Sequence, residues 1–559
     1  MAYVFVTVNA SGTIGSSAFP AIELSTSTGS ATWDGTIEYY AANSWGTSGS
    51  WTTWDGSKIT SNFGIYQVST TYGKHFGILL RGTGNTVLNS SSTSNWIINT
   101  KRVGSFSGDI YGVRLYGNIE PLFDYATVDN SQHPTIDQYA CDNLLSGNSE
   151  LLNTFEFPDI SSVPDYAFRN MYKNCTGMTS ISSLPATTVG AHAYEGMFQG
   201  CTSLISTSAL PATTLGSACY VSMFQGCSSL TTAPELPATT LANNCYYSMF
   251  KNCTSLTTAP ALPATTLVMS CYTYMFQGCT SLTTAPALPA TTLALSCYSY
   301  MFQGCSSLTT APKLPATTLT TQCYFGMFDS CTSLVAAPQL PATTLANYCY
   351  FAMFRDCTSL VNMPLLCATT LASNCYSYMF NNCTSLKNIY ELPATTLADE
   401  CYLGMFKGCT LITTPINLPA TTSAYESYLE MFYNTGIELS TTQSGSYLYP
   451  YIITIEGTPE EHWNDNMFYG SGVNSPSANV TYYSKHKVVD HVEYWTTQSE
   501  LTSVANSIRD KMDAPTVLTF PYDYIQPLSK MGSQVYYTGS SFPPDNLGEN
   551  GDIYIQIGV

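Results

Sequence analysis

Charge is scarce in this chain: only 10% of its 559 residues are Asp, Glu, Lys or Arg, against about 25% in an ordinary soluble domain. Its surface must therefore be built from Ser, Thr, Asn, Gly and Tyr, a composition common on extracellular and particle surfaces. Basic residues number 18 and the net charge is −19. Nucleic acids and anionic membranes are held by basic stripes that displace counterions, so neither is an expected partner. No apolar run reaches the roughly 18 residues of a spanning helix, so no membrane insertion is expected. The opening "MAYVFVTVNASGTIGSSAFP" lacks a basic n-region and an unbroken apolar core. Read from Met1, the chain is not expected to leave a cell by the usual signal route.

Reactive chemistry is equally thin. The six histidines are scattered. His486 and His491, with Asp490 or Glu493 nearby, could face a metal, yet a solvated strand end is the plainer reading. Glu460, Glu461 and Asp465 could form the acid pair of a glycoside hydrolase, or simply cap a helix and solubilise an end. The sequence gives no catalytic residue, cofactor or metal ligand to argue for. No enzyme is expected, and a glycan depolymerase is the weakest of the functional readings.

Repetition is what the chain has in abundance. "LPATT" at Leu184 recurs at Leu210, Leu236, Leu262, Leu288, Leu314, Leu340, Leu392 and Leu418, with Cys367 replacing Pro in the copy at Leu366. The spacing is always 26, and a fixed period of this size signals a solenoid. Decayed copies at Asn143 and Thr458 suit terminal rungs that cap an open core. Within one unit, Leu241, Cys245, Met249 and Cys253 fall at i, i+4, i+8 and i+12, on one face of an expected short helix. Tyr246 and Phe250 widen that face, and Leu256 opens an extended segment closed by Pro. These seven residues are the expected core of each strand-plus-short-helix rung.

The 20 cysteines invite a disulfide framework, but their placement argues otherwise. Ten form one column from Cys175 to Cys409 and eight another from Cys219 to Cys401, each at the repeat period; Cys141 and Cys367 stand outside. Cysteines two turns apart in one rung cannot reach bonding distance. Buried reduced ladders are expected, since free Cys behaves as a small hydrophobe. Zinc is not expected, because the column spacing is not a chelate.

The flanks differ from the array. Residues 1–135 alternate apolar and polar residues between Gly- and Asn-rich turns, as in an antiparallel β-sandwich. Their Trp45, Trp51, Trp54, Tyr39 and Tyr40 form either a sugar-stacking platform or, by the commoner pattern, a small core. The array with its degenerate ends is expected over 136–485. A small α+β module is expected over 486–559, with a capping box at Thr497 and Glu500 and the helical stripe Leu501, Val504, Ile508, Met512. Its ending "PPDNLGENGDIYIQIGV" reads as a Gly-turned hairpin and a final strand, suited to strand addition with another chain.

The motif Cys-Tyr-x-x-Met-Phe-x-x-Cys-Thr-Ser-Leu, as in Cys271 to Leu282, resembles the leucine-rich repeats of BspA-like surface proteins of gut bacteria and their phages. Over about residues 140–483 the resemblance implies adhesion through protein or glycan contacts. The N-terminal region loosely resembles the β modules that precede such repeats. "SVANSIRDK" and the ending at Leu547, Gly548, Gly551, Asp552 and Tyr554 resemble modules of phage tail and fibre-type virion proteins. The resemblance implies a virion component (fibre, tail-tip or capsid decoration) that adheres to a host-cell protein or glycan. Its terminal modules are expected to hold other virion proteins and support homo-oligomers. The alternative is a bacterial cell-surface adhesin. Residues that escape the repeat are the candidate ligand-facing set: Glu235, Lys313, Gln339 and Glu391 beside the extended segments, and Phe325, Arg355 and Asp356 beside the helix.

Overall fold

The computed structural model describes residues 4–10, 19–42, 49–60, 65–69, 73–89, 94–103, 110–157, 160–413, 416, 418–420, 422–437, 462–463, 465–468, 470, 535–537 and 553–555. Alternation of apolar and polar residues in the N-terminal region produces nine strands: β1 (Val4–Ala10), β2 (Phe19–Thr26), β3 (Thr36–Ala42), β4 (Gly49–Thr53), β5 (Ile59–Thr60), β6 (Ile65–Ser69), β7 (Gly73–Thr83), β8 (Trp96–Val103) and β9 (Ile110–Tyr116). One antiparallel sheet has the order β4-β3-β7-β1-β9, with β6 also on β7; β5-β2-β8 form a second. Val4, Val6, Leu80 and Val113 from the first sheet share a core with Ile22, Leu24 and Ile98 from the second. The period-two pattern therefore turns one face of each sheet into this core, while Phe5 and Leu79 are buried on the opposite face of the first. A short helix, α1 (Pro121–Asp129), follows with Pro at its start, where a missing N–H costs nothing.

The array begins where these sheets end. Val113 of β9 bridges Leu151 in parallel, and Asn118 bridges Glu156. Two asparagines extend the junction by imitating backbone. Asn153 Oδ1 accepts the Leu115 N–H at 2.9 Å while its Nδ2 donates to the Leu115 carbonyl at 2.8 Å. Asn148 does the same between Ile98 and Trp96, both at 2.7 Å. Leu144, Leu145 and Leu151 join the core that holds Trp96 and Val113. The strand-rich region thus covers the first rung, as the exposed end of a repeat array requires.

Each rung departs from the expected strand-plus-helix in an instructive way. In the unit at Leu236, alternate residues bond along the rung and across it. Cys245, Tyr247, Met249, Lys251 and Cys253 each donate an N–H to the carbonyl three residues back, at 3.0–3.2 Å. Asn244, Tyr246, Ser248, Phe250 and Asn252 donate instead to the next rung, at 2.7–3.1 Å. Every fourth residue, Asn244, Ser248 and Asn252, has φ between 55° and 61°. This is a spiral of consecutive turns with four residues per turn, and the helix expected in each rung is corrected accordingly. Among the described residues α1 is the one α-helix. A left-handed residue costs roughly 1–2 kcal/mol. Three per rung are offset by five inter-rung bonds at about 0.5–1.5 kcal/mol each.

The four-residue period still delivers the expected core. Cys245, Met249 and Cys253 lie inward with Tyr246 and Phe250, all 0–1% exposed, and Leu241 and Leu256 are also buried. Stacking aligns them into columns. Tyrosines run from Tyr194 to Tyr428 with neighbouring centroids 5.7–5.9 Å apart. Phenylalanines form a second column from Phe198 to Phe468 with neighbouring centroids 5.2–5.7 Å apart. The extended side shrinks to two-residue parallel strands, β10 (Ser162–Val163), β11 (Thr188–Val189) and β12 (Thr214–Leu215), then to single bridges such as Thr232–Thr258–Thr284. The prolines on either side, such as Pro260 and Pro263, have no N–H for a longer ladder.

Both degenerate copies are rungs. Cys141 and Leu145 donate to Ala167 and Met171, and Tyr428 and Phe432 donate to Trp463 and Met467. Beyond them, β13 (Val535–Tyr537) pairs in parallel with β14 (Ile553–Ile555). Parallel neighbours cannot be joined by a tight turn, so β14 is not paired in the expected Gly-turned hairpin. The helix expected over Thr497–Met512, His486, His491, Glu460 and Glu461 lie outside the described residues.

Candidate binding surface

Burial first removes groups from consideration. All 20 cysteines are free and every one except Cys367 is buried. From Cys227 onward, thiols of the first column donate to the preceding rung's phenylalanine carbonyl, as Cys227 to Phe198 at 3.2 Å and Cys253 to Phe224 at 3.0 Å; Cys175 and Cys201 donate to Leu145 and Tyr172. Burial pushes the thiols of Cys175, Cys253 and Cys305 up to about 12. A thiol held neutral and enclosed is neither nucleophile nor ligand. Among the described residues no group of three or more His, Cys, Asp or Glu is placed to hold a metal. Nor is any helix there long and apolar enough to cross a membrane. Asp465 pairs with His462 at 2.5 Å on an exposed surface.

The aromatic residues of the N-terminal region divide between two places. Trp54 is 1% exposed and packs with Trp33 and Trp96 at 4.9 and 5.1 Å, so it is core. Tyr39 packs against the same core. Tyr40 and Trp51 lie on the opposite sheet face with Phe5 and Leu79. There Arg81 is held 4.1 Å from both the Trp51 and Tyr125 rings and pairs with Glu38 at 2.8 Å. Trp45 lies outside the described residues.

The seven residues singled out in the array fall on two surfaces. Glu235, Lys313, Gln339 and Glu391 are all exposed and occupy one equivalent position, immediately before the buried Leu236, Leu314, Leu340 and Leu392. Near its C-terminal end this column borders a shallow groove of about 440 Å³, lined by Leu365, Cys367, Glu391, Pro393 and Pro419 among others. Leu365 is 63% exposed, and Cys367 stands where other rungs have Pro. Sequence reading noted Cys367 but not this groove; the signal was the clustering of Leu365, Cys367 and Tyr390, all departures from the repeat.

Phe325, Arg355 and Asp356 lie instead on the outer side of the turn spiral. Arg355 grips Asp329 of the preceding rung with two nitrogens, at 2.5 and 3.1 Å, and approaches Asp356 at 3.7 Å. Asp329 is fully buried, so this pair ties two rungs together while the guanidinium edge stays half-exposed. Phe325 stacks on Phe351 at 4.5 Å and meets Tyr300 at 5.0 Å.

Those contacts belong to a larger feature that sequence reading missed. Six successive rungs each place one aromatic ring here: Tyr247, Tyr274, Tyr300, Phe325, Phe351 and Tyr378. The ring comes from one of two adjacent positions. Where the second is Tyr the first is small, as in Thr273–Tyr274 and Ser299–Tyr300; where the first is Phe the second is small, as in Phe325–Gly326 and Phe351–Ala352. A Cβ on Gly326 would sit 2.5 Å from the Tyr300 ring, so glycine makes room for the preceding rung's tyrosine. Tyr274, Tyr300 and Tyr378 sit at φ 53–57°, where other rungs use Ser, Gly, Ala, Asn170 or Glu430. A bulky residue there costs roughly 1–3 kcal/mol, and these half-buried rings recover little of it as core.

A family profile described as BspA type leucine rich repeat region matches in six copies, over residues 135–283, 195–335 and 340–448. No curated protein matches the chain. The match agrees with the rung-forming residues described above and covers more than half of the sequence. The chain belongs to the BspA-type leucine-rich-repeat family.

Proposed function

We propose that this chain is a non-enzymatic adhesive surface protein, in which a solenoid of 26-residue rungs presents outward-facing residues to a host-cell protein or glycan. The observation that carries this reading is the division of each rung. Inward columns change only at the terminal rungs, as at Ala193, Ser427 and Thr435, and are chemically silent, while departures from the repeat gather on the outer spiral face and on the column ending at Glu391. The family match supports surface adhesion or binding in general.

The finer reading is a phage virion component, a fibre, tail-tip or capsid decoration. Twenty free thiols suit assembly in a reducing host cytoplasm followed by release on lysis, and the C-terminal motifs resemble virion modules. In this reading residues 1–135 and 486–559 attach the array at residues 136–485 to other virion proteins, with homo-oligomers formed through the same modules. The family match itself favours a second reading, a bacterial cell-surface adhesin. Mass spectrometry of density-purified phage particles beside outer-membrane fractions of the host separates them. Stoichiometric recovery in particles is expected; recovery in membranes alone would leave the cellular adhesin.

A further inference from the structure

The six aromatic rings of the outer spiral face form a continuous ridge. Consecutive centroids lie 5.6, 5.1, 5.0, 4.5 and 5.8 Å apart from Tyr247 to Tyr378. The planes turn by 76° at Tyr247–Tyr274, 60° at Tyr300–Phe325 and 71° at Phe351–Tyr378, and are stacked within 7° at Tyr274–Tyr300 and 13° at Phe325–Phe351. Two stacked pairs are therefore separated by turned rings, unlike the inner columns, whose rings are parallel throughout and buried. The six outer residues are only partly buried, and tyrosines are kept at left-handed backbone positions where Ser248, Gly404 or Glu430 serves elsewhere. Strain retained without core burial is a mark of function.

Beside the ridge runs a ladder of polar side chains, with Gln277 and Gln303 partly exposed and Asp329 buried. Gln277 donates to Gln303, Gln303 donates to Asp329 at 2.7 Å, and Arg355 closes on the same carboxylate. Of the cations on this face, Arg355 pairs with Asp329 and Lys407 with Glu430 at 2.6 Å, while the Lys251 ammonium lies 5.2 Å over the Tyr274 ring. With a net charge of −19 on the whole chain, polyanions are repelled. One aromatic per rung, with amides alongside and charge outside the ion pairs confined to Lys251 beside Tyr274 and to Glu400 and Glu426 near Tyr378, suits a ligand that repeats along its own length and offers both C–H surface and hydroxyls. The step from ring to ring is close to the length of one pyranose in an extended chain. Partly positive C–H bonds of a sugar ring are attracted to the negative faces of the rings turned out of the stack, and the second amide N–H of Gln277 and of Gln303 is left to donate to hydroxyls.

We propose that the ridge from Tyr247 to Tyr378 is a binding track for an extended, uncharged polysaccharide, lying along the array with about one sugar per rung. This deepens the adhesive reading and rests on it. The test uses the full chain in affinity electrophoresis through gels containing hydroxyethylcellulose, mixed-linkage β-glucan or galactomannan, with polygalacturonate as the charged comparison. Retardation by at least one neutral polymer and none by polygalacturonate is expected. The variant Tyr274→Ser/Tyr300→Ser carries at both places the residue found at Ser248, so its melting temperature should be unchanged or higher while its apparent Kd rises at least tenfold.

No retardation by any neutral polymer, or equal retardation of the double variant, would overturn the proposal. So would light scattering showing that the wild-type chain self-associates and the double variant does not, since the ridge would then be an interface between copies. Adhesion to intact host cells separates the two levels of the argument. Wild type and variant adhering equally would sink the track and leave the adhesin standing; a wild type that binds polymer but not cells would do the reverse.

Discussion

Replacing Phe302 by Ala probes the stack at its middle. The ring is fully buried and lies parallel to Phe276 and Phe328, each 5.7 Å away. Truncating a core Phe costs about 3–5 kcal/mol, and each lost aromatic partnership adds about 0.5–1.5 kcal/mol. The sum is about 4–8 kcal/mol, concentrated at one pair of rung interfaces. In a linear array stability is carried by nearest neighbours, so the two halves should uncouple. Urea unfolding followed by circular dichroism is expected to split into two transitions, the earlier one displaced well below the parent midpoint. Lys313→Ala, on the exposed column, should move the midpoint by no more than about 0.5 kcal/mol. A Phe302→Ala shift no larger than that of Lys313→Ala would refute the idea that the ring columns hold the array together.

Alkaline pH should unfold the array in the window set by its thiols. Burial raises Cys175, Cys253, Cys305, Cys323 and Cys375 from near 9 to about 12. Below pH 9 both states keep the proton; above it the unfolded chain releases protons that the folded chain retains, so stability falls by up to about 1.4 kcal/mol per thiol per pH unit. A circular dichroism titration in reductant should show loss of structure between pH 9 and 12, and a fold intact throughout that range would contradict it. Arg355→Met leaves the buried Asp329 carboxylate unpaired and should cost about 2–4 kcal/mol, somewhat below a wholly buried pair because the arginine is partly exposed. Adding Asp329→Asn should restore part of the loss in a thermal melt. Gly326→Ala places a Cβ 2.5 Å from the Tyr300 ring at φ 56°, and should destabilise by about 1–2 kcal/mol, less in a Tyr300→Ser background.

The rung's core was legible in the sequence and its backbone was not. Spacing of four picked out Leu241, Cys245, Met249 and Cys253 as one face, and all four are buried. The same spacing argued against an α-helix, because three steps of four residues drift about 120° around a helix of 3.6 residues per turn, whereas a four-residue spiral has no drift. The recurring Asn, Gly and Ser on that period marked left-handed positions. The outer ridge escaped notice because its aromatic alternates between two positions, so neither column alone looks aromatic. Asp329 escaped too: what makes Arg355 structural is a partner 26 residues upstream, visible only once rungs are stacked.

Counting reactive thiols tests the central claim most directly, since the account requires an inert interior beneath a surface that does the binding. The full chain is treated with a thiol-specific chromogenic disulfide reagent, first native and without reductant, then in denaturant. One fast-reacting thiol, from the exposed Cys367, is expected in the native state, and all 20 cysteines once unfolded. Several fast thiols in the native protein would contradict the enclosed columns, and fewer than 20 after denaturation would show that disulfides, not stacked rungs of free cysteine, hold the array.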